Sequence, residues 1–214
     1  APRYNMNLLS LRVFGSVQIE EMFVVEKGLE VGPEAVLLTD YIHPIRCGNY
    51  PNGFLIIDGE IRGSGRITVN MFRYDLSVFH VKGYVENLKL ESVNSVTGNL
   101  VVTSSGDVNV GKLEISSAHA TYTCTFDLNG HSLTVEGVTV RTRGAIVGDG
   151  TIINAGDIDV SAGSFSFTGQ YVQVGDGTIK LAEGQKFNEL LCIAPTKLAS
   201  DIIVDDILAY IHPI

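Results

Sequence analysis

Short apolar segments separated by turn residues fill the chain from about residue 98 to residue 184, and this pattern constrains the fold more than any other feature. Each segment alternates apolar and polar residues, which is the period of a β-strand with one buried face. Gly, Asn and Asp separate the segments and are typical of tight turns. Short strands at steady intervals predict a sandwich, a barrel or a solenoid.

The same stretch repeats itself in part. The pentapeptide at residues 148–152 recurs letter for letter at residues 175–179, and residues 102–110 match residues 152–160 in pattern. The spacing Ile-x-Gly-x-Gly-x-Ile occurs at residues 61–67 and again at residues 146–152. Internal repetition on the scale of one coil favours a solenoid, in which each repeat buries its inner face by stacking on the next.

The segment at residues 126–135, together with the two Ile-x-Gly-x-Gly-x-Ile segments, resembles the coils of right-handed parallel β-helix proteins. That group includes bacterial and archaeal surface proteins, adhesin passenger regions, phage tail fibres and pectin-degrading enzymes. The resemblance implies an all-β fold: a right-handed parallel β-helix-like solenoid with non-repeat terminal β segments. The repeat is irregular, so a β-sandwich or a mixed β-sheet stays open as an alternative.

Three regions follow from this pattern. Residues 1–53 are predicted to be an N-terminal β segment that caps or docks, residues 54–184 the solenoid-like repeat region, and residues 185–214 a C-terminal docking segment. Within the last region, Ser200 and Asp201 could cap a helix over residues 202–211. The β-branched residues there favour a strand instead.

The amino-acid composition limits the classes of partner expected for this chain. Charged residues make up 18% of the chain, below the usual quarter, while 45% is hydrophobic and the mean hydropathy is +0.22. We therefore expect other copies of the chain to cover part of its apolar surface. With a net charge of −9 and no run of Lys and Arg, the sequence argues against nucleic acid. No apolar run reaches the roughly 20 residues of a transmembrane helix. Ala1 fits either signal-peptide cleavage or loss of Met, and the sequence does not choose.

Three widely separated cysteines show no zinc-binding spacing. One interpretation treats Cys47, Cys124 and Cys192 as small buried hydrophobes. The other uses their odd number: in an oxidising compartment one cysteine is left to form a disulfide between subunits. Both interpretations stay open.

A five-residue motif occurs twice, near the two ends of the chain. Chance or an internal duplication would account for it. The alternative hypothesis is that both copies lie at an interface, because a head-to-tail polymer brings one end of each subunit against the other end of the next. The predicted interface residues are Tyr41, Ile42, His43, Pro44 and Ile45 with Tyr210, Ile211, His212, Pro213 and Ile214.

No residue pattern predicts a catalytic, cofactor-binding or metal site, and we expect no enzyme and no cofactor. The one group of carboxylates worth testing is Asp149, Asp157, Asp159 and Asp176, because clustered acids bind calcium or act as acid and base in pectin-degrading β-helices. Asp149 and Asp176 lie in Gly-Asp-Gly turns, where aspartates usually bond their own backbone.

The sequence therefore predicts a structural subunit that assembles with itself, through strand edges and end contacts, into an extracellular filament, sheath, surface layer or fibre. We expect it outside the cell or in the cell envelope, or alternatively in a viral particle. The second hypothesis is a β-helix that binds or cleaves a polysaccharide, with a glycan as partner. The third is a monomeric adhesin or binding module.

Overall fold

The computed structural model describes residues 6–46, 50–94 and 96–210, and within these ranges the chain forms strands and turns without a helix. Residues 202–210 contain a strand, which confirms the strand assignment there. The strands are β1 Met6–Val13, β2 Ser16–Ile19, β3 Phe23–Val31, β4 Val36–Thr39, β5 Ile42–Ile45, β6 Phe54–Ile57, β7 Glu60–Arg62, β8 Arg66–Met71, β9 Val78–Val81, β10 Tyr84–Ser92, β11 Leu100–Thr103, β12 Val108–Ser117, β13 Cys124–Asp127, β14 Ser132–Val140, β15 Gly144–Gly148, β16 Thr151–Asn154, β17 Ile158–Val160, β18 Ser164–Phe167, β19 Gln170–Gln173, β20 Gly177–Leu181, β21 Lys186–Cys192, β22 Thr196–Leu198 and β23 Ile203–Tyr210.

The strand pairs of the described chain are parallel, and each joins strands from successive coils. The protein is a parallel β-solenoid of about nine turns. The predicted all-β parallel solenoid is thereby confirmed. The alternatives of a sandwich and a mixed sheet are wrong, because both require antiparallel neighbours that these pairs do not include.

One row of stacked residues follows the winding from end to end. Each member pairs in register with the next, one coil later, and the row, which we call core row A, is Val17, Leu37, Ile61, Val85, Val110, Val135, Asn154, Gln173, Cys192 and Tyr210. In the middle of the solenoid, one complete coil runs from Val85 to Val110. The first coil runs only from Val17 to Leu37, and the coils after Val135 are shorter still. The coils are therefore long in the middle and short at both ends.

Three faces make up each coil, and each is named by a stacked row. Face A carries core row A. Face B carries core row B, which is His43, Ile67, Leu88, Leu113, Val138, Ile158, Ile179 and Leu198. Face C comprises two shorter rows: Leu29, Leu55 and Phe79, followed by Val102, Phe126, Ile146 and Phe165.

The corner between faces B and C accounts for most of the difference in coil length. In a long coil this corner extends from Ile115 on face B to Phe126 on face C. In a short coil it extends only from Val160 to Phe165. The long central coils thus place extra loop residues at this corner. The strands themselves keep their register, so the core inside is unaffected.

Inward residues of all three faces form one continuous apolar core. Phe126 is fully buried and meets the ring of Phe79 edge-on, with the centroids 5.4 Å apart. Near the C-terminal end, Phe187 packs against both Phe165 and Tyr171. In the short coils two core row A positions are polar, and Asn154 Nδ2 donates to Gln173 Oε1 at 3.2 Å.

The repeats seen in the sequence are corner motifs rather than coils. The first Gly-Asp-Gly-Thr-Ile copy lies between faces C and A, where Gly148 and Gly150 have φ of 89° and 110°. The second copy lies between faces A and B, and its Ile179 stacks on Ile158 rather than on Ile152. The two copies are not successive repeats, because one full coil runs from Gly148 only as far as Phe167.

Parallel pairing crosses both region boundaries expected from the sequence. Strand β3 pairs with β6 across residue 53, and β19 pairs with β21 across residue 184. The described parts of residues 1–53 and 185–214 therefore contribute coils of their own. Their role in docking stays a prediction.

Candidate functional site

The two ends of the solenoid are strand edges. In the first coil β1 and β2 pair with β3 and β4, and in the last coil β22 and β23 pair with β20 and β21. Within the described ranges no further strand pairs with the outer edge of either coil. Such an edge presents free N–H and C=O groups that can pair with another chain.

Core positions at the two ends are open to solvent. Within core row A, Leu37 and Val85 are fully buried, whereas Val17 in the first coil is 42% exposed. Within core row B, Ile158 and Ile179 are fully buried, whereas Leu198 in the last coil is 52% exposed. Each end therefore resembles a core cut open between two coils. Further exposed apolar side chains at the ends are Leu9, Phe14, Ile193 and Ile203.

The end coils also match one another in length. The first coil of core row A ends at Leu37 and the last begins at Cys192, and both are shorter than the central coils. The C-terminal end of one copy could thus stack on the N-terminal end of another with coils of similar outline.

The first copy of the duplicated motif is divided between core and surface. Tyr41 and Ile42 are exposed at the corner between faces A and B, while His43 and Ile45 are fully buried. Pro44 is half-buried on β5. Of the second copy, Tyr210 ends β23 on face A, and residues 211–214 lie outside the described residues. Docking through either copy stays a prediction.

His43 is an integral part of the N-terminal core. Its ring stacks on Phe23 with the centroids 3.9 Å apart, and its Nδ1 accepts a hydrogen bond from the Phe23 N–H at 3.2 Å. Its Nε2 contacts the hydroxyl of Thr39. Burial lowers the pKa of His43 to about 4, because the charged imidazolium would lose its hydration. His43 is therefore neutral at pH 7.

Two of the cysteines are buried free thiols. Cys124 is fully buried, and Cys192 occupies core row A. Burial raises the pKa of Cys124 to about 12, so its reactive thiolate is scarce at neutral pH. Both fit the interpretation as small buried hydrophobes. Cys47, and any disulfide formed by it, lies outside the described residues.

The four aspartates singled out from the sequence do not form one group. Asp149 lies at the corner between faces C and A, while Asp157 and Asp159 line a groove of about 490 Å³ on face B. Asp176 lines a separate depression with Thr178 and Lys197.

Within the groove, both aspartates are engaged with neighbours. The Asp157 carboxylate accepts a hydrogen bond from the Thr178 N–H at 2.7 Å. Burial raises the pKa of Asp159, but hydrogen bonds from Ser161 and the charge of Lys180 outweigh this effect and leave the pKa below its usual value. Asp159 is therefore ionised at neutral pH, a state unsuited to a general acid.

A network of ion pairs beside this groove was missed by the sequence reasoning. Lys89 Nζ lies 2.7 Å from Glu91 and 3.3 Å from Glu114, and Glu114 also faces Arg66 and Arg141 at 3.9 and 3.8 Å. Lys89 and Glu114 stack in register, one coil apart. The sequence signal for this network is a pair of opposite charges separated by the length of one coil. It could not be recognised before the coil length was known.

The described residues include neither a metal-binding cluster nor a membrane-spanning helix. Within those ranges no three or more His, Cys, Asp or Glu side chains are grouped to hold a metal ion. In the same part of the chain, no helix has the length and apolarity needed to cross a membrane.

Comparison with known proteins gave no match to a family model, a curated protein or a solved structure.

Proposed function

We propose that this protein is a structural subunit whose copies join end to end, the last coil of one stacking on the first coil of the next. The observation that carries the proposal is the pair of open core rows, with Val17 exposed at one end and Leu198 at the other. Stacking would bury these side chains as Leu37 and Ile179 are buried inside. It would also pair the free strand edges.

The contact is of the heterologous kind. The two ends are different surfaces, so each copy that binds leaves a fresh end for the next, and assembly continues into a filament rather than stopping at a dimer. The solenoid axis then becomes the filament axis. The low charged fraction of the chain fits a protein with part of its surface covered by neighbouring copies.

Electron microscopy and light scattering of the purified full chain test this proposal. We expect wild-type protein to form filaments whose mean length grows with concentration. Leu198→Lys and Val17→Lys each place a charge at one joint surface and should shorten or abolish the filaments. Tyr74→Lys is the matched control, because Tyr74 is also a large exposed side chain but lies on a central coil. Wild-type protein that remains a single copy at high concentration would contradict the proposal.

Glycan binding is a second candidate, and the groove on face B is the observation that favours it. Lys112 and Thr139 supply donors there, and Glu136 and Asp157 supply acceptors, a mixture suited to sugar hydroxyls. Calorimetric titration with neutral oligosaccharides tests it, with Lys112→Ala as the groove variant. Equal heats for the wild type and the variant would count against the groove.

A further inference from the structure

The outward side of face A changes character along the solenoid. In three successive short coils its outward residues are aliphatic and in register: Ile153 pairs with Val172, and Val172 with Leu191. The pairing extends to the next outward residue of each strand. The N–H of Val174 donates to the Asn154 carbonyl, and the N–H of Ile193 donates to the Gln173 carbonyl. We call the resulting set the aliphatic stripe: Ile153, Ala155, Val172, Val174, Leu191 and Ile193.

The same outward positions are polar in the long coils, apart from one glycine. There the corresponding residues are Glu60, Arg62, Tyr84, Glu86, Asn109, Gly111, Thr134 and Glu136. Several of these side chains interact with one another. Arg62 Nε lies 3.1 Å from the Glu60 carboxylate, and the Arg62 guanidinium covers the Tyr84 ring at 3.9 Å. The aliphatic stripe is therefore confined to one half of the face, and every one of its members is partly or fully exposed.

The stripe runs to the C-terminal edge of the solenoid. Leu191 pairs with Ala209 on β23, the outermost strand of face A. At the opposite end, the corresponding outward positions of the second coil are Val36 and Leu38, the latter 42% exposed. In a head-to-tail stack the stripe would therefore continue across the joint into the next copy, with only the uncharged Ser16 and Gln18 between the two parts.

The area of the stripe decides what kind of occupant fits. In one copy it covers three coils, about 14 Å at a strand spacing of about 4.8 Å. The stripe is two alternate strand positions wide, about 7 Å, so its area of about 100 Å² is far less than the roughly 800 Å² per partner of a stable complex. Across a joint it spans six coils, about 29 Å, one of them the polar coil of Ser16 and Gln18, and it recurs at every joint of a filament. Weak contacts repeated in this way add up by multivalency.

We infer that the aliphatic stripe is a lateral interface between copies of this chain, completed across each head-to-tail joint and used to pair one filament with another. The inference rests on the proposed function, because a single copy presents too little apolar area. Two such faces would pack about 10 Å apart, as sheets do in a sandwich. A lipid surface suits the stripe less well, because its rim carries the acids Glu136, Glu189 and Asp176 and no described basic cluster.

Negative-stain microscopy of wild-type and variant filaments tests the inference. We expect wild-type filaments to run in pairs or bundles. In Val172→Lys/Leu191→Lys the filaments should be single and keep the wild-type axial repeat. Ser164→Lys/Ser166→Lys adds the same charge to exposed outward positions on face C and should leave the pairs intact. Val174→Lys, at a more exposed position, is the milder variant if the double substitution does not fold.

The outcomes separate the two proposals. Single wild-type filaments, or paired filaments that survive both face A variants, would overturn the lateral interface and leave end-to-end assembly standing. Wild-type protein without filaments would overturn end-to-end assembly, and the lateral interface with it.

Discussion

The middle of the solenoid and its two ends contain the same stacked core rows but have different neighbours. Leu113 and Leu198 occupy the same core row, yet Leu113 is 2% exposed and Leu198 is 52% exposed. In the middle, each inward side chain has a coil on both sides. At the ends the second coil is missing from the described chain, so the sequence encodes a core residue where the fold leaves a surface.

This difference shows why the ends are the surfaces that we propose to be functional. A repeat protein that remains soluble as a single copy usually carries terminal repeats with a polar outer face. Here the first and last coils keep aliphatic residues at inward positions and shorten to similar lengths. A second copy of the chain would supply what each end lacks, namely one more coil of the same kind.

The largest expected effect compares two leucines of core row B. Leu113→Ala opens a cavity between two coils and should lower the free energy of unfolding by about 2–5 kcal/mol. Leu198→Ala, measured in dilute solution, should lower it by about 1 kcal/mol, because half of that side chain is already in water. Chemical denaturation of both variants checks this. Equal losses would mean that the last coil is covered in the single copy.

The second prediction concerns how the stability of the N-terminal coils, whose core contains His43, depends on pH. Between pH 6.5 and about 4 the unfolded chain binds a proton at His43 and the folded chain does not, so stability should fall as the pH is lowered through this window. The expected loss attributable to His43 is about 3 kcal/mol. Denaturation curves of the wild type and His43→Gln across the window measure it. The same pH slope in both proteins would rule out His43 as the cause.

The smallest expected effect concerns the ion pairs of the central coils. Glu114→Gln removes the carboxylate that faces Arg66, Lys89 and Arg141, and should cost less than about 1 kcal/mol, because the network is partly exposed. The difference from the wild type should shrink in high salt. Glu183→Gln, on the turn after β20, serves as the control. A salt-independent loss of several kcal/mol would indicate that this face is more deeply buried, for example by another copy.

The fold class was predictable from the sequence, whereas the coil boundaries were not. Alternating segments with Gly, Asn and Asp between them predict stacked strands wherever they occur. The identical pentapeptides at residues 148–152 and 175–179 nevertheless lie at different corners, because a corner needs only a flexible turn between two inward residues. Sequence identity between corners therefore does not measure the length of a coil.

The surfaces proposed to be functional were only partly predictable. Tyr41 and Ile42 were expected at an interface, and they are exposed, but His43 and Ile45 of the same motif belong to the core. Val17 and Leu198 could not be recognised, because an inward residue of an end coil has the same sequence context as any other inward residue. The aliphatic stripe became visible only once the register of β16, β19 and β21 was known.

Cryo-electron microscopy of the assembled filaments would show whether the last coil of one copy stacks on the first coil of the next. Core row A contains ten stacked positions, so a head-to-tail stack should rise by about 48 Å per copy, with strand layers about 4.8 Å apart continuing unbroken through each joint. We expect that rise, with Val17 of one copy buried against the last coil of its neighbour. Filaments with a different rise, or closed two-fold dimers that leave Val17 and Leu198 in solvent, would contradict it.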